Sequence, residues 1–189
     1  LLLLGDTFEV TGTLGANPVE EIQDRLGNWG LRFIMIALAV TPLRRITGWN
    51  WLQRFRRMLG LYAFFYTLLH FLAWLILDQG VLWSAIVEDI AKRPFITIGF
   101  AALLILTAMA ATSTSGMRRR LGKRWQQLHY GAYAAGILGV WHYWWQVKKD
   151  IRDPLIYAVI LAVLLAVRLW FRYRKASRHR QAKAANQRS

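Results

Sequence analysis

Apolar residues along the chain fall into long runs separated by charged connections, and a run of about 20 apolar residues reads as a membrane-spanning helix. Five such runs stand out: Trp29 to Ile46, Met58 to Leu77, Phe95 to Thr112, Trp125 to Trp145 and Pro154 to Trp170. Arg32 and Pro42 interrupt the first, and the fourth is less apolar, with two histidines inside it. The fifth is nearly pure Ile, Leu, Val and Ala, and Pro94 and Pro154 stand where a first helical turn tolerates proline. No long Gly-rich or Ser-rich linker and no internal repeat is visible. Leu1 to Leu4, with no methionine before them, are expected to be the stub of an earlier spanning helix. The pattern predicts an all-α, polytopic transmembrane helical bundle with five complete spans here and six in the full protein. Residues 1–28 are expected to form an outer loop and residues 172–189 a basic tail.

Charge sorts strictly by connection. Arg44–Arg57 and Arg118–Arg124 hold five basic residues each, and the tail from Arg168 holds eight, with no acid in any of the three. All ten acids lie in the alternate connections: Asp6, Glu9, Glu20, Glu21 and Asp24; Asp78, Glu88 and Asp89; Asp150 and Asp153. Those connections hold only seven basic residues, so one face carries +18 and the other −3. Lys and Arg in short loops mark the cytoplasmic side, so the basic loops and the C-terminus are expected in the cytoplasm. Tryptophans gather at the predicted span ends, as interfacial belts do. Five buried helices of a soluble protein would not explain this sorting.

Composition then changes meaning. The net charge of +15 over 189 residues, with 56% hydrophobic residues and a mean hydropathy of +0.25, reports membrane orientation, not a nucleic-acid-binding face. No nucleic-acid partner is expected; the partner surface is the lipid bilayer. The absence of cysteine excludes disulfides, thiolate zinc sites, Cys-ligated iron–sulfur clusters and covalent c-type haem.

Three of the four histidines, His70, His129 and His142, lie within spans, while His179 sits among the arginines of the tail. An ionisable side chain inside a bilayer is costly and marks a pathway or a cofactor. With no intramembrane acid the three argue against a proton relay and suit a metal held by nitrogen, of which b-type haem fits best. Measured from the basic ends, His70 lies about 20 Å in, His142 about 27 Å and His129 about 7 Å. Residues at the interface lower the last two values by about 4–5 Å. His70 is thus level with His142, and these two are the predicted axial ligands of a haem in the outer half of the bilayer. His129 is rotated by about 140° from His142 on an ideal helix. It has three readings: weak haem ligation, a hydrogen bond to a propionate, or a place beside a second cofactor. Arg57 and Arg56 stand where a matching inner ligand on the second run would be.

The stretches RRMLGLYAFFYTLLH (Arg56 to His70), TSTSGMRRRLGKRWQQLHY (Thr112 to Tyr130) and WHYWWQVKKD resemble the MsrQ family, also called YedZ. That family comprises haem-containing membrane subunits of the bacterial periplasmic methionine sulfoxide reductase system, within the ferric-reductase-like transmembrane group. The resemblance covers nearly the whole chain and implies a single such domain over residues 1–189. It also implies six spans in the bacterial inner membrane, b-type haem on His70, His142 and His129, and an associated FMN. The implied partner is a periplasmic molybdopterin-containing methionine sulfoxide reductase subunit. In the wider group two helices each supply two histidines for two haems; Arg57 in this chain departs from that pattern and puts the second haem in doubt.

Arg56, Arg57, Lys123 and Arg124 converge at two helix starts and suit a flavin phosphate, with Trp125 placed to stack on the isoalloxazine ring. The same cations serve equally as topology anchors that bind anionic lipid headgroups. Arg32 is read as snorkelling to headgroups, with a haem propionate as the other partner. No G-x-G-x-x-G follows a strand, so electrons are expected from a cytoplasmic flavin reductase or from quinol. The chain then reads as an electron-transfer subunit, not the substrate-reducing enzyme. A non-redox transporter and an assembly scaffold are the rivals from other classes; neither would bind a chromophore.

Overall fold

The computed structural model describes residues 17–147 and 150–186, and among them every regular element is helical. Helix α1 spans Pro18–Thr47. A 3-10 turn, Asn50–Arg54, leads into α2, Phe55–Ala73, which continues as one π-helical turn over Trp74–Asp78. Then follow α3 (Trp83–Lys92), α4 (Pro94–Ala111), α5 (Ser115–Leu121), α6 (Lys123–His129), α7 (Gly131–Gln146) and α8 (Arg152–Asn186).

Helix α1 begins well before the expected Trp29, and local chemistry explains why. The Asn17 side chain accepts from the Glu20 N–H, Pro18 occupies the first turn, and Glu20 and Glu21 face the positive end of the helix dipole. Residues 18–28 are therefore helical instead of looped; the rest of the expected outer loop, with Leu1 to Leu4, lies outside the described residues. At the other end of the chain, α8 carries the expected tail onward as helix to Asn186.

Among the described residues four helices are long and apolar enough to cross a membrane: Pro18–Thr47, Asn50–Asp78, Pro94–Ala111 and Arg152–Arg174. The predicted run Trp125 to Trp145 is divided into α6 and α7. At the junction Tyr130 N–H reaches both Gln126 and Gln127 carbonyls, and Tyr133 N–H bonds Tyr130 O at 3.0 Å, a tightened turn. The two pieces still retrace α4 from end to end. Trp125 Nε1 donates to Thr112 O at 2.9 Å, Gly131 lies against Ile105, and His142 lies against Phe95.

Helix α1 is the central post. Half of its most apolar window is buried, against 11–17% for the other three long helices. Leu31, Ile34, Met35 and Leu38 form one cluster with Ala63 of α2, Leu106 of α4, Ala135 and Val140 of α7 and Leu161 of α8. Outward faces stay apolar: Phe65, Leu104, Ile137, Ile156, Val159 and Val163 are all exposed. So broad an apolar surface fits lipid, not water.

The contacts repeat with a fixed offset that the sequence reading did not see. Helices α1 and α2 form one antiparallel pair, and α4 and α7 form a second. Gly99, Leu103, Ala135 and His142 each stand 72 residues after Gly27, Leu31, Ala63 and His70. Leu31 and Leu103 are both buried, and Ala63 and Ala135 are the two most enclosed apolar residues, at 1% and 0% exposure. The halves are parallel repeats, the kind related by an axis along the membrane normal. Leucine at Ala135 is expected to cost about 1–3 kcal/mol by overpacking, measured by unfolding in detergent. Leucine at the exposed neighbour Ala134 should cost far less, and equal losses would contradict a tight seam at Ala135.

Candidate functional site

Each half of the repeat presents one histidine in the same way. His70, near the end of α2, places Nδ1 2.9 Å from the carbonyl oxygen of Gln23 on α1. His142, near the end of α7, places Nδ1 2.7 Å from the carbonyl oxygen of Phe95 on α4. Both contacts join residues 47 apart in the chain. Neither carbonyl has an ordinary helical donor four residues on that could not share it, because a carbonyl oxygen has two lone pairs. A carbonyl only accepts, so each contact sets the proton on Nδ1 and leaves the Nε2 lone pair free.

Glycines make the approach feasible. A Cβ at Gly27 would stand 3.2 Å from His70 Nδ1, and one at Gly99 would stand 2.9 Å from His142 Nδ1. Each imidazole thus lies on helix backbone, one turn beyond the carbonyl that holds it. The two rings are close neighbours in a T-shaped arrangement, with centroids 6.0 Å apart and planes at 76°. They line a cavity of about 1040 Å³ with Leu31, Thr67, Phe71, Phe100 and Leu103, near the upper end of the range for cofactor sites. Glu20, Asp24, Asp78 and Asp150 also border it, and among the described residues Arg93 is the one Lys or Arg in its lining.

His129 is placed differently. Its Nδ1 lies 3.0 Å from the carbonyl of Trp125 in its own helix, and its ring stacks on the Trp125 indole at 3.8 Å. Among the described side chains no second histidine faces it. The offset of 72 that pairs His70 with His142 pairs His129 with Arg57, and Arg57 is exposed. Of the predicted flavin-binding set, Arg56 and Trp125 are partly buried, whereas Arg57, Lys123 and Arg124 are exposed. One face of Trp125 is already covered by His129. Arg32 is exposed; its Nε donates to Tyr157 Oη at 3.1 Å and its guanidinium lies 5.0 Å from the Trp29 ring centre. His179 sits in α8, but its side chain lies outside the described residues, as do Lys148 and Lys149.

Sequence reasoning found both neighbouring histidines but not the Gln23 and Phe95 carbonyls or the glycines that receive the rings. The available signal was the shared offset linking Gly27 with Gly99 and His70 with His142. Chemically, the arrangement offers two neutral nitrogen donors across a largely apolar cavity. Among the described residues no group of three or more His, Cys, Asp or Glu could hold a metal ion. A metal here must therefore bring most of its own ligands. ¹⁵N spectra of histidine-labelled, cofactor-free protein should show the Nδ1–H tautomer at both positions; an Nε2–H signal at either would reverse the assignment. Alanine at Gly99 should disturb His142 more than alanine at Gly27 disturbs His70, because its Cβ intrudes further.

The chain's relatives agree with this architecture. Residues 26–140 match the family model described as a ferric reductase like transmembrane component. A protein-methionine-sulfoxide reductase heme-binding subunit MsrQ from Ralstonia nicotianae is 52% identical over 179 residues, covering 93% of this chain and 81% of the relative. A protein of the same name from Xanthomonas oryzae pv. oryzae is 57% identical over 157 residues, covering 83% and 72%. One from Xanthomonas campestris pv. campestris is 54% identical over 169 residues, covering 88% and 78%. No solved structure shows a significant match. With the family model spanning most of the helical bundle and relatives above half identity over nearly all of the chain, this protein belongs to the MsrQ family of ferric-reductase-like transmembrane subunits.

Proposed function

We propose that the chain is a b-type haem electron-transfer subunit of the bacterial inner membrane, with its basic loops in the cytoplasm and five crossings within the present sequence. The observation that carries this reading is the pair of neighbouring imidazoles, each with Nδ1 bound to a carbonyl and Nε2 free. The relatives' names, which specify heme binding, support it.

The residues present fit the group. The two imidazole centres stand 6.0 Å apart and both rings border one cavity of about 1040 Å³. Two protein donors suffice only for a metal that arrives with its equatorial ligands, as haem iron does. When bound, haem supplies a one-electron iron couple. His70 and His142 would hold it, and the Gln23 and Phe95 carbonyls would fix ring orientation and raise imidazole basicity. Leu31, Phe71, Phe100 and Leu103 give the cavity an apolar wall. One haem accounts for the paired site. Weak haem ligation, a hydrogen bond to a propionate and a place beside a second cofactor all stay open to His129.

FMN belongs at the basic end, where Arg56, Arg57, Lys123, Arg124 and Trp125 are the candidates from the sequence. The donor would be a cytoplasmic flavin reductase, with quinol as the alternative. The acceptor would be a periplasmic molybdopterin-containing methionine sulfoxide reductase subunit, docking on the acidic end. There α3 displays Glu88 beside Asp89, and Trp144 and Trp145 are exposed.

Purified protein should show a reduced-haem absorption band. His70→Ala and His142→Ala should each abolish it, and an unaltered spectrum in either variant would sink the ligand assignment. His129→Ala should retain the band. Reduction of the haem by NADH plus a flavin reductase, compared with reduction by quinol alone, identifies the donor. A colourless preparation would return the chain to a transporter or scaffold role.

A further inference from the structure

Three arginines from three helices turn inward at the basic end. Arg44 of α1, Arg56 of α2 and Arg168 of α8 are partly buried, whereas Arg45, Arg57, Lys123, Arg124 and Arg172 around them are exposed. Arg56 stands within electrostatic range of Arg44, Arg168 and His129, and Arg168 within range of Arg45 and Arg172. Among the described residues none of the three takes part in an ion pair. The described acids all lie in connections at the opposite end of the bundle.

Partly desolvated like charges repel, and burying cations without a counter-charge is costly. Basic residues needed only as topology anchors would sit as well or better fully exposed, as Arg57 and Arg124 do. A second group beside the cluster is also incomplete. Tyr133 Oη is buried and has no hydrogen-bond partner, and the Arg168 guanidinium lies over the Tyr133 ring, 4.4 Å from its centre. Leaving a buried hydroxyl unpaired is costly, so an acceptor is wanting where cations are already in excess.

We propose that Arg44, Arg56 and Arg168 seat a phosphate-bearing anion at the basic end of the bundle, with the Tyr133 hydroxyl and His129 beside it. Guanidinium forks match phosphate oxygens two at a time, which a scatter of exposed lysines does not. The phosphate has two sources, the phosphomonoester of FMN and the headgroup of an anionic phospholipid. The flavin source rests on the function proposed above; the lipid source does not. In either case the seat moves away from Arg57, Lys123 and Arg124 and gains Arg44 and Arg168, which sequence reading did not assign.

The test uses the full chain in detergent and in nanodiscs. FMN and riboflavin, which lacks the phosphate, are titrated calorimetrically, and native mass spectrometry compares retention of phosphatidylglycerol with phosphatidylcholine from mixed nanodiscs. Wild-type protein should bind FMN at least tenfold tighter than riboflavin, competed by inorganic phosphate, if the source is the flavin. It should retain phosphatidylglycerol selectively if the source is lipid. Arg56→Gln and Arg168→Gln should remove whichever preference is found, Arg168→Lys should retain part of it, and Arg119→Gln, at an exposed site, should leave it intact. The competition by phosphate needs no variant and so stands even if a glutamine variant misfolds. No preference in wild type for either probe, or an equal loss with Arg119→Gln, overturns the proposal. His70→Ala should leave the phosphate preference unchanged, so failure of the haem ligation and failure of the anion seat are separately visible.

Discussion

Everything at the acidic end of the bundle depends on two hydrogen bonds, from His70 to the Gln23 carbonyl and from His142 to the Phe95 carbonyl. Each is a long-range tie between helices, and each decides three things at once. It fixes the tautomer, it fixes the ring plane, and it requires a backbone close enough to touch. The last condition is why glycine stands one turn along at Gly27 and Gly99. A side chain there would crowd the imidazole, more severely at Gly99 than at Gly27. A polar group inside a bilayer has no water to fall back on. The bonds therefore satisfy the histidines as well as aim them.

Much of this was legible in the chain itself. Long apolar runs and the sorting of charge gave the helices and their alternation, because the cost of burying backbone and charge in lipid leaves few solutions. Depth counted along ideal helices placed His70 level with His142 and set His129 apart. Boundaries were less legible. Helix α1 starts at Pro18 because of a capping asparagine, a signal that apolarity does not carry, and the fourth run breaks at Tyr130 within a continuous apolar pattern. The repeat stayed hidden because so few of its positions are identical. Lipid-facing positions accept almost any apolar residue, so only the seam and the ligand-bearing turns keep their identity. Main-chain acceptors such as Gln23 O cannot be read from residue type at all.

The two halves differ most at the basic end. Where the second half carries His129, stacked on Trp125, the first carries the exposed Arg57. Symmetry of geometry at one end and asymmetry of chemistry at the other give the bundle a polarity along its axis. One end holds neutral donors in an apolar cavity, and the other holds cations that lack a counter-charge. A carrier that passes electrons between unlike partners on two sides of a membrane needs such a difference.

The two histidines straddle the join between the repeats, with one imidazole from each half. On the function proposed above, whatever their Nε2 atoms hold would clasp two units that also meet through helix packing. Loading would then be a form of intramolecular dimerisation, and occupancy would report that both halves have inserted and docked.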